Sequence, residues 1–502
     1  MLKNVSHSKG LEEEILFETH FDYLFRRAAS TPSQLLPEGE STIAALRKLG
    51  ALMADPGTAS VPLPDRDSAT PAIYTYFGQF IDHDVTARTD RDGSLTEIGA
   101  GAAIHPLAPQ QVVAALTNGR RPQLDLDSLY GDGPGLVAGG GSGNGQSETR
   151  TRAQDLYDGN LRLCVFRQGK RLDLPRRTDG SASIADARND ENIIVGQLHA
   201  SMLSFHNAVA DAQPANLDNA RRYVRARQLV RWAYQHVVVE DYLPRVCDPA
   251  VVADVLANGP RYFGSAGGHS RLFMPLEFSV AGFRFGHSMI RPFYDLNANT
   301  RRDIGDLLGG GAKPENQQDG QLRPELVIDW KRFVGDSAQK ARIIDPKIAA
   351  GLFEIPFEGR AGDPILAHLA RSNLLRGYSL SVPTGQALAR AMGIDPLTEK
   401  QLLEGESAEL KALFDEAYFD LRTPLWFYLL KEAAVQTGGQ TLGAVGSRIV
   451  AETLVGLIKE SPNSYLSNRH DAAVTGNGIQ VGPGSAGCIT DLESLLQFAG
   501  VL

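Results

Sequence analysis

Apolar residues recur at helical spacing over much of this chain. Residues 191–212 carry them at Ile194, Leu198, Met202, Phe205 and Val209. This spacing is close to the 3.6-residue period that lines one face of an α-helix. Residues 195–210 within it, together with 224–239 and 415–435, are therefore predicted to be helices. The pattern as a whole predicts a mainly α protein.

Signals for other structure are few. A short strand is predicted at residues 161–166, just before the Gln168-Gly169 turn, and the glycine-rich stretch 139–146 is predicted to be a mobile loop. No period of 20–50 residues repeats. A chain of 502 residues exceeds the usual size of one domain, but no linker divides it. We expect a single domain over residues 1–502.

Charge and cysteine content exclude several classes of protein. A net charge of −9 gives no reason to expect binding to nucleic acid or to an anionic membrane. No stretch reaches the roughly 18 apolar residues of a membrane-spanning helix. The N-terminus lacks the apolar core of a signal peptide, and the three cysteines form no CxxC pair. The expected location is the cytoplasm, or outside it by export without a cleavable signal peptide.

The most informative segment is the octet at residues 77–84. It places Gln79, Asp82, His83 and Asp84 among aromatic and aliphatic residues. On a helix Gln79 and His83 share a face, because they are four residues apart. Burying such polar groups is costly unless they have partners. The octet alone is also compatible with a helix that carries a capping aspartate and a hydrogen-bonded core histidine.

Four further segments mix charged or amide side chains with apolar ones: residues 124–131, 187–194, 281–293 and 371–383. They contribute Asp125, Asp127, Arg188, Glu191, Arg284, His287, Asn373 and Arg376. In their order along the chain, the five segments resemble the animal-type haem peroxidases. This superfamily includes myeloperoxidase, lactoperoxidase, cyclooxygenases and bacterial relatives. The resemblance spans roughly residues 70–385 and assigns no function to residues 1–65 or 390–502.

The resemblance implies one large helical domain with a b-type haem between a distal and a proximal helix. His287 corresponds to the proximal histidine that binds the iron. Asn373 corresponds to its partner, which accepts the other ring N–H and fixes the tautomer. Arg284 and Arg376 correspond to arginines that hold the haem propionates. Read without the resemblance, His287 would be a core histidine and the arginines would form surface salt bridges.

On the distal side the resemblance makes His83 the general base for hydrogen peroxide. Arg188 would stabilise the negative charge that develops as the O–O bond breaks. Gln79 would orient a distal water or a small anion. The product implied is a ferryl haem with a porphyrin radical, which then oxidises the donor.

Asp82 and Glu191 correspond to the two acids that form ester bonds with haem methyl groups in this superfamily. Taken one at a time, each would be an ordinary acid on a helix surface. Position 192 is asparagine, where myeloperoxidase has a methionine bonded to the haem through sulfur. We therefore expect no sulfonium link and a spectrum closer to that of lactoperoxidase.

Asp84, Asp125 and Asp127 correspond to the calcium site of the superfamily. Calcium prefers six to eight hard oxygen ligands, which carboxylates and backbone carbonyls supply. The match is partial, because Asp127 replaces a serine and Arg121 replaces a threonine ligand. The alternative is a set of acids that cap the turn at residues 130–133.

Three functions follow from these residues. The first is a peroxidase that oxidises small donors such as phenols, halides or thiocyanate. The second is a fatty-acid dioxygenase or a specialised biosynthetic oxidase. The fatty-acid oxygenases carry a radical tyrosine three residues before the proximal histidine, where this chain has Arg284. The third is a catalytically silent, calcium-dependent binding protein. His199 and His206, seven residues apart, are predicted to be core histidines and not a metal pair.

Overall fold

The computed structural model describes residues 19–55, 66–90, 104–131, 133–134, 155–269, 272–355 and 367–502. Within these ranges the chain forms 18 α-helices and a few short strands, so the predicted mainly α class is confirmed. The loop predicted at residues 139–146 lies outside the described residues.

The helices of the first half are α1 (Arg26–Ala29), α2 (Glu40–Leu52), α3 (Ile73–Val85), α4 (Pro109–Ala115), α5 (Asp127–Tyr130), α6 (Ile193–Asp211), α7 (Asn219–Val237), α8 (Leu243–Val246) and α9 (Pro249–Asn258). Those of the second half are α10 (Leu276–Val280), α11 (Ile304–Leu307), α12 (Leu369–Ser379), α13 (Gly385–Ala391), α14 (Glu399–Leu403), α15 (Ala408–Ala417), α16 (Leu425–Thr437), α17 (Ala444–Glu460) and α18 (Leu492–Phe498). Short 3-10 helices at Ala187–Asp190 and Gly282–His287 matter for the site.

The strands are β1 (Thr19–Asp22), β2 (Asp67–Pro71), β3 (Arg88–Asp90), β4 (Leu116–Asn118), β5 (Phe166–Gln168), β6 (Arg171–Asp173), β7 (Phe273–Pro275), β8 (Phe293–Asp295), β9 (Arg301–Asp303), β10 (Gln317–Gln318), β11 (Gln321–Leu322), β12 (Lys340–Arg342), β13 (Ile479–Gln480) and β14 (Cys488–Ile489). One sheet has four strands in the order β3-β4-β1-β7, and β1 pairs with β4 antiparallel but with β7 parallel. The remaining strands form two-stranded pairs.

Two of the three helices predicted from apolar spacing are confirmed as α6 and α7. Helix α7 continues into a π-helix at Val238–Tyr242. The continuous helix predicted over residues 415–435 is wrong, because α15 ends at Ala417 and α16 begins only at Leu425. Tyr418 adopts a left-handed conformation with φ 55°. Pro424 lacks an N–H donor and so stands at the N-cap of α16, where no such donor is needed.

The strand predicted at residues 161–166 is also displaced. The observed strand β5 starts at Phe166 and pairs with β6 across a hairpin whose turn contains Gly169 at φ 59°. Leu163 makes only an isolated bridge with Tyr157. Gln168-Gly169 therefore lies at the turn of a hairpin, and strand β5 runs into this turn instead of ending before it.

Helix α3 lies at the centre of the fold. It packs against α6 on one side and against the 3-10 helix Gly282–His287 on another, and α16 packs against that same 3-10 helix. Phe77 and Phe80 on α3 are fully buried. Gly78 is required there, because a Cβ at this position would stand 2.5 Å from the hydroxyl oxygen of Tyr242. None of the described helices is long and apolar enough to cross a membrane.

Candidate functional site

The octet forms the C-terminal half of α3, as its sequence predicts. The helix ends after Val85, where Thr86 turns to an extended conformation. The Thr86 hydroxyl donates to the backbone carbonyl oxygen of Asp82 at 2.9 Å and contacts the Asp82 carboxylate at 3.1 Å. His83 therefore lies on the last turn of α3, and only 6% of its surface is exposed.

His83 contacts two residues of the segment that precedes α6. Its Nδ1 lies 2.8 Å from Oδ1 of Asn189, and its backbone carbonyl accepts a hydrogen bond from Nη2 of Arg188 at 2.8 Å. Burial and the nearby Arg188 charge lower the pKa of His83 to about 4, although Asp186 and Asp82 oppose the shift. The imidazole is therefore neutral near pH 7 and able to accept a proton.

Arg188 is held by a carboxylate that sequence reasoning did not identify. Asp186 accepts from Nε of Arg188 at 3.0 Å and from Nη2 at 2.6 Å, and it also pairs with Arg120. Burial would raise the pKa of Asp186, but the charges of Arg120 and Arg188 outweigh it and hold that pKa well below its usual range. The aspartate two residues before Arg188 was the available signal, but Arg120 is distant in sequence. A two-point contact of this kind fixes the guanidinium plane.

Asn189 is a second residue that sequence reasoning missed. Its side chain lies between two imidazoles: Oδ1 contacts His83, and Nδ2 lies 2.9 Å from Nδ1 of His199. Asn189 and His199 are both fully buried. Its position directly after Arg188 gave no indication of these contacts, because they depend on how α3 and α6 pack together.

Gln79, Asp82 and Glu191 differ from their neighbours in their access to solvent. Gln79 and Asp82 are half-buried, whereas Glu191 is exposed. Burial nevertheless raises the pKa of Glu191 to about 7, against the opposing effect of Arg188. Exposed surface together with dense surrounding protein is expected of a side chain that faces a recess in the interior. Glu191 therefore faces a recess that solvent reaches.

His287 ends the 3-10 helix Gly282–His287 and is half-buried. Its Nδ1 lies 2.9 Å from Nδ2 of Asn373, on α12. Rotating the amide by 180° exchanges Nδ2 and Oδ1 and places Oδ1 at that position. In that orientation Asn373 accepts the N–H of Nδ1 and leaves a lone pair on Nε2. Burial and Arg284 lower the pKa of His287 to about 3, so the ring is in the neutral form that binds metals.

The surroundings of His287 leave room for a large group. A Cβ built on Gly286 would meet no atom within 4 Å. The charge of Asp82 influences the pKa of both His83 and His287, so this carboxylate lies near both rings. The two histidines thus come from neighbouring elements and stand beside open space. The residues present fit a planar haem held between them.

The two predicted propionate partners lie on the same elements as the proximal pair. Arg284 is half-buried, and its Nε donates to the backbone carbonyl of Ser279 at 2.9 Å. Arg376 is half-buried on α12, three residues after Asn373. Neither terminal nitrogen of Arg284 has a hydrogen-bond partner in the described ranges, so both are available to a carboxylate, as a propionate partner requires.

The predicted calcium ligands form a buried group of acids beneath α3. Asp84 is fully buried and accepts from the hydroxyl of Ser128 at 2.9 Å, while Oδ2 of Asp127 accepts from the backbone N–H of Arg121 at 3.1 Å. Burial and the neighbouring Asp127 raise the pKa of Asp84 to about 8. Asp125 pairs with Arg231 at 3.3 Å.

Two further observations bear on a cation in this group. Oδ1 of Asp127 is buried without a hydrogen-bond partner among the described residues. Leu124 and Leu126, on either side of Asp125, both have positive φ values, of 54° and 59°. Bulky residues rarely adopt this conformation. In the described ranges, however, no three His, Cys, Asp or Glu side chains are arranged to hold a metal ion, so backbone oxygens would have to complete the site.

His199 and His206 are fully buried, as expected of core histidines. Nδ1 of His206 lies 2.9 Å from the hydroxyl of Tyr130, whereas Nδ1 of His199 contacts Asn189. Each ring thus has its own Nδ1 partner, while neither Nε2 has a hydrogen-bond partner among the described residues.

Comparisons with known proteins bear on the family and the fold of this chain. The family model for the animal haem peroxidase matches residues 141–457. Thyroid peroxidase from Mus musculus is 25% identical over 185 residues, which are 35% of this chain and 20% of that protein. Thyroid peroxidase from Homo sapiens is 31% identical over 126 residues, 24% of this chain and 13% of that protein. The matches thus span a small part of these relatives.

Solved structures share the fold at low sequence identity. Peroxidase A from Dictyostelium discoideum superposes with a TM-score of 0.57 at 15% identity and covers 92% of both chains. The fatty acid alpha-dioxygenase of Oryza sativa gives a TM-score of 0.59 at 14% identity, covering 96% of this chain and 77% of that one. At such identities the likeness shows the fold alone.

The family model covers more than half of the chain. Its range includes Arg188, His287 and Asn373, while the octet with His83 lies before it. The fold neighbours extend the likeness over nearly the whole length. This chain belongs to the animal haem peroxidase family.

Proposed function

We propose that this protein is a haem peroxidase that reduces hydrogen peroxide and oxidises small electron donors such as phenols, halides or thiocyanate. The observation that carries the proposal is that two neutral histidines, His83 with Arg188 beside it and His287, both lie near the Asp82 carboxylate. His287, with Asn373, would hold the iron, and Arg284 and Arg376 would hold the propionates. The bound haem would supply the two electrons that cleave the O–O bond.

The distal residues would manage the protons. Neutral His83 accepts the proton from one peroxide oxygen and returns it to the other, so that water leaves. Arg188 remains charged, because Asp186 raises its pKa against the effect of burial. Its Nη1 makes no hydrogen bond within the described part of the chain, so this nitrogen is available to stabilise the leaving oxygen. Gln79, half-buried four residues before His83, would orient the bound peroxide or a water molecule.

The test is an absorption spectrum of the purified, haem-supplemented protein before and after one equivalent of hydrogen peroxide. We expect a ferric Soret band that loses intensity and shifts within the mixing time. No Soret band with folded protein and added haem would contradict the proposal and favour the catalytically silent binding protein.

A fatty-acid dioxygenase is the alternative for the same scaffold. Arg284 speaks against it, because a guanidinium cannot form the radical that the tyrosine of those relatives provides. The alternative predicts oxygen uptake with a fatty acid and a Soret band that does not respond to peroxide. An oxygen electrode would measure this uptake, and we expect none across a panel of fatty acids.

We further propose that Asp82 and Glu191 form ester bonds to the haem. Glu191 is exposed and Asp82 half-buried among largely buried neighbours, so both carboxyls can be reached by a bound group. After turnover with peroxide, denaturing mass spectrometry should find the chain heavier by one haem, and Asp82→Asn with Glu191→Gln should remove the added mass. Release of intact haem from the wild-type protein would contradict this prediction.

Asp84, Asp125 and Asp127 are proposed to bind calcium together with backbone oxygens. The unpartnered Asp127 oxygen, the raised pKa of Asp84 and the strained loop around Asp125 support a cation here. Because the site lies directly under His83, removing calcium with a chelator should slow the reaction with peroxide and lower the melting temperature. Adding calcium, but not magnesium, should restore both. An unchanged melting temperature in chelator would refute the site.

A further inference from the structure

The side chain of Asn189 connects two histidines that lie on different helices. Its Oδ1 stands 2.8 Å from Nδ1 of His83 on α3, and its Nδ2 stands 2.9 Å from Nδ1 of His199 on α6. All three side chains are almost or fully buried. The backbone N–H of Asn189 donates to the carbonyl of Asp186 at 3.0 Å, which anchors the residue itself.

An amide side chain imposes a definite proton arrangement on two imidazoles. Its oxygen can only accept a hydrogen bond, and its nitrogen can only donate one. In the amide orientation of the structure, His83 carries its proton on Nδ1 and Nδ1 of His199 is unprotonated. Turning the amide by 180° would reverse both assignments and still leave the two rings in opposite tautomers. The two neutral rings are therefore held in opposite tautomers.

We propose that Asn189 is the positioning residue that locks His83 in the tautomer with a free lone pair on Nε2, and that His199 fixes the orientation of the Asn189 amide. This inference rests on the proposed peroxidase function, since a general base needs that lone pair. It adds a residue that the family resemblance did not supply.

Other groups around His83 do not replace this contact. Arg188, Asp186 and Asp82 influence the ring through their charges, but none of them hydrogen-bonds either ring nitrogen among the described residues. His199 is enclosed, with the ring of Phe80 at 5.9 Å in an edge arrangement, and its Nε2 has no hydrogen-bond partner in the described part of the chain. Burying an unsatisfied ring nitrogen is unfavourable. A leucine or phenylalanine would fill this space without burying an unpartnered ring nitrogen. The contact between Nδ1 of His199 and Asn189 is therefore the interaction that accounts for a histidine at this position.

The tautomers can be read directly by nitrogen NMR on full-length protein labelled with [15N]histidine, with and without haem. Spectra recorded at a pH well above the ordinary histidine pKa of about 6.5 report on neutral rings. His83→Gln and His199→Gln assign the signals. We expect a protonated Nδ1 for His83 and an unprotonated Nδ1 for His199. The reverse pattern, or a mixture in the wild-type protein, would overturn the proposal whether or not the protein reacts with peroxide.

Two substitutions of nearly equal size separate positioning from packing. Asn189→Leu removes both hydrogen bonds and should give His83 a mixture of tautomers. With haem bound, it should also slow the reaction with hydrogen peroxide by roughly 10- to 100-fold, as is typical when a residue that orients a functional histidine is lost. Asn189→Asp should keep His83 in its tautomer and the rate within about tenfold of wild type, while His199 switches to a protonated Nδ1.

Combining Asn189→Leu with His83→Gln should cost no more rate than His83→Gln alone, because a positioning residue acts only through the group it positions. Additive losses, or a wild-type rate in Asn189→Leu, would reject the inference and leave the peroxidase proposal intact. A wild-type protein inert to peroxide would reject the peroxidase proposal, while the NMR result would still decide the tautomers. If Asn189→Leu fails to fold, Asn189→Asp and the wild-type spectrum still provide the test.

Discussion

Replacing His83 with glutamine is expected to slow the reaction of the haem-loaded protein with hydrogen peroxide by roughly 10²- to 10⁴-fold, the usual contribution of a general acid–base group. Glutamine preserves approximate size and polarity but cannot exchange a proton near neutral pH. Haem binding should survive, because the proposed iron ligand, His287, lies on a different element. Stopped-flow measurement of the loss of Soret absorbance gives the rate, and His470→Gln, at an exposed histidine, is the control.

The pH dependence of the same rate has a defined sign. A base must be neutral to accept a proton, and burial with Arg188 lowers the pKa of His83 to about 4. The rate should therefore be constant above about pH 5 and fall as pH decreases through 4, and the His83→Gln rate should lack this fall. A wild-type rate that declines already between pH 7 and 6, or a His83→Gln rate equal to wild type, would remove His83 from this role.

Replacing His287 with alanine is expected to abolish tight haem binding, which is the largest effect predicted for a single residue. The iron would lose its proposed protein ligand, and the missing side chain would leave a gap beside the open space at Gly286. Titration with haem should give no ferric Soret band of the wild-type form. Added imidazole should restore the band, because it can occupy the gap left by the missing ring.

Asn373→Leu is the matched control for the proximal side. It removes the contact at Nδ1 of His287 but keeps the ligand, so haem should still bind, with affinity or activity lowered by roughly 10- to 100-fold. A His287→Ala protein with an unchanged Soret band would show that another residue binds the iron. The identical failure of both variants with loss of helical signal would instead indicate unfolding, which circular dichroism detects.

Local sequence was sufficient where the chemistry is carried by nearby residues. The octet could be predicted to form a helix that bears His83, and α3 confirms it. Arg188 and Glu191 are three residues apart, and the turn at Ala187–Asp190 followed by Glu191 lets them share a face, since a 3-10 helix aligns residues three apart. The continuous helix predicted over residues 415–435 was wrong for a local reason as well, because Pro424 cannot occupy the interior of a helix without breaking it.

Contacts between distant segments could not be predicted. Asp186 and Arg120 are 66 residues apart, and His83 and Asn189 are 106 apart. Asp186 stands two residues before Arg188, but its contact with Arg120 has no local signal. Nothing in the sequence around Asn189 indicates its contact with His83, which forms only when α3 packs against α6.

The sequence by itself determined the mainly α class, the family, and the residue types that a haem site requires, because apolar spacing and side-chain chemistry are properties of short segments. Only the tertiary structure decided that Arg120 shares the Asp186 carboxylate with Arg188, and that the Asn189 amide stands between His83 and His199. These are long-range hydrogen bonds and ion pairs between buried groups. The packing of the whole fold determines these partners, because a buried polar group forms hydrogen bonds with the polar groups that the fold places beside it.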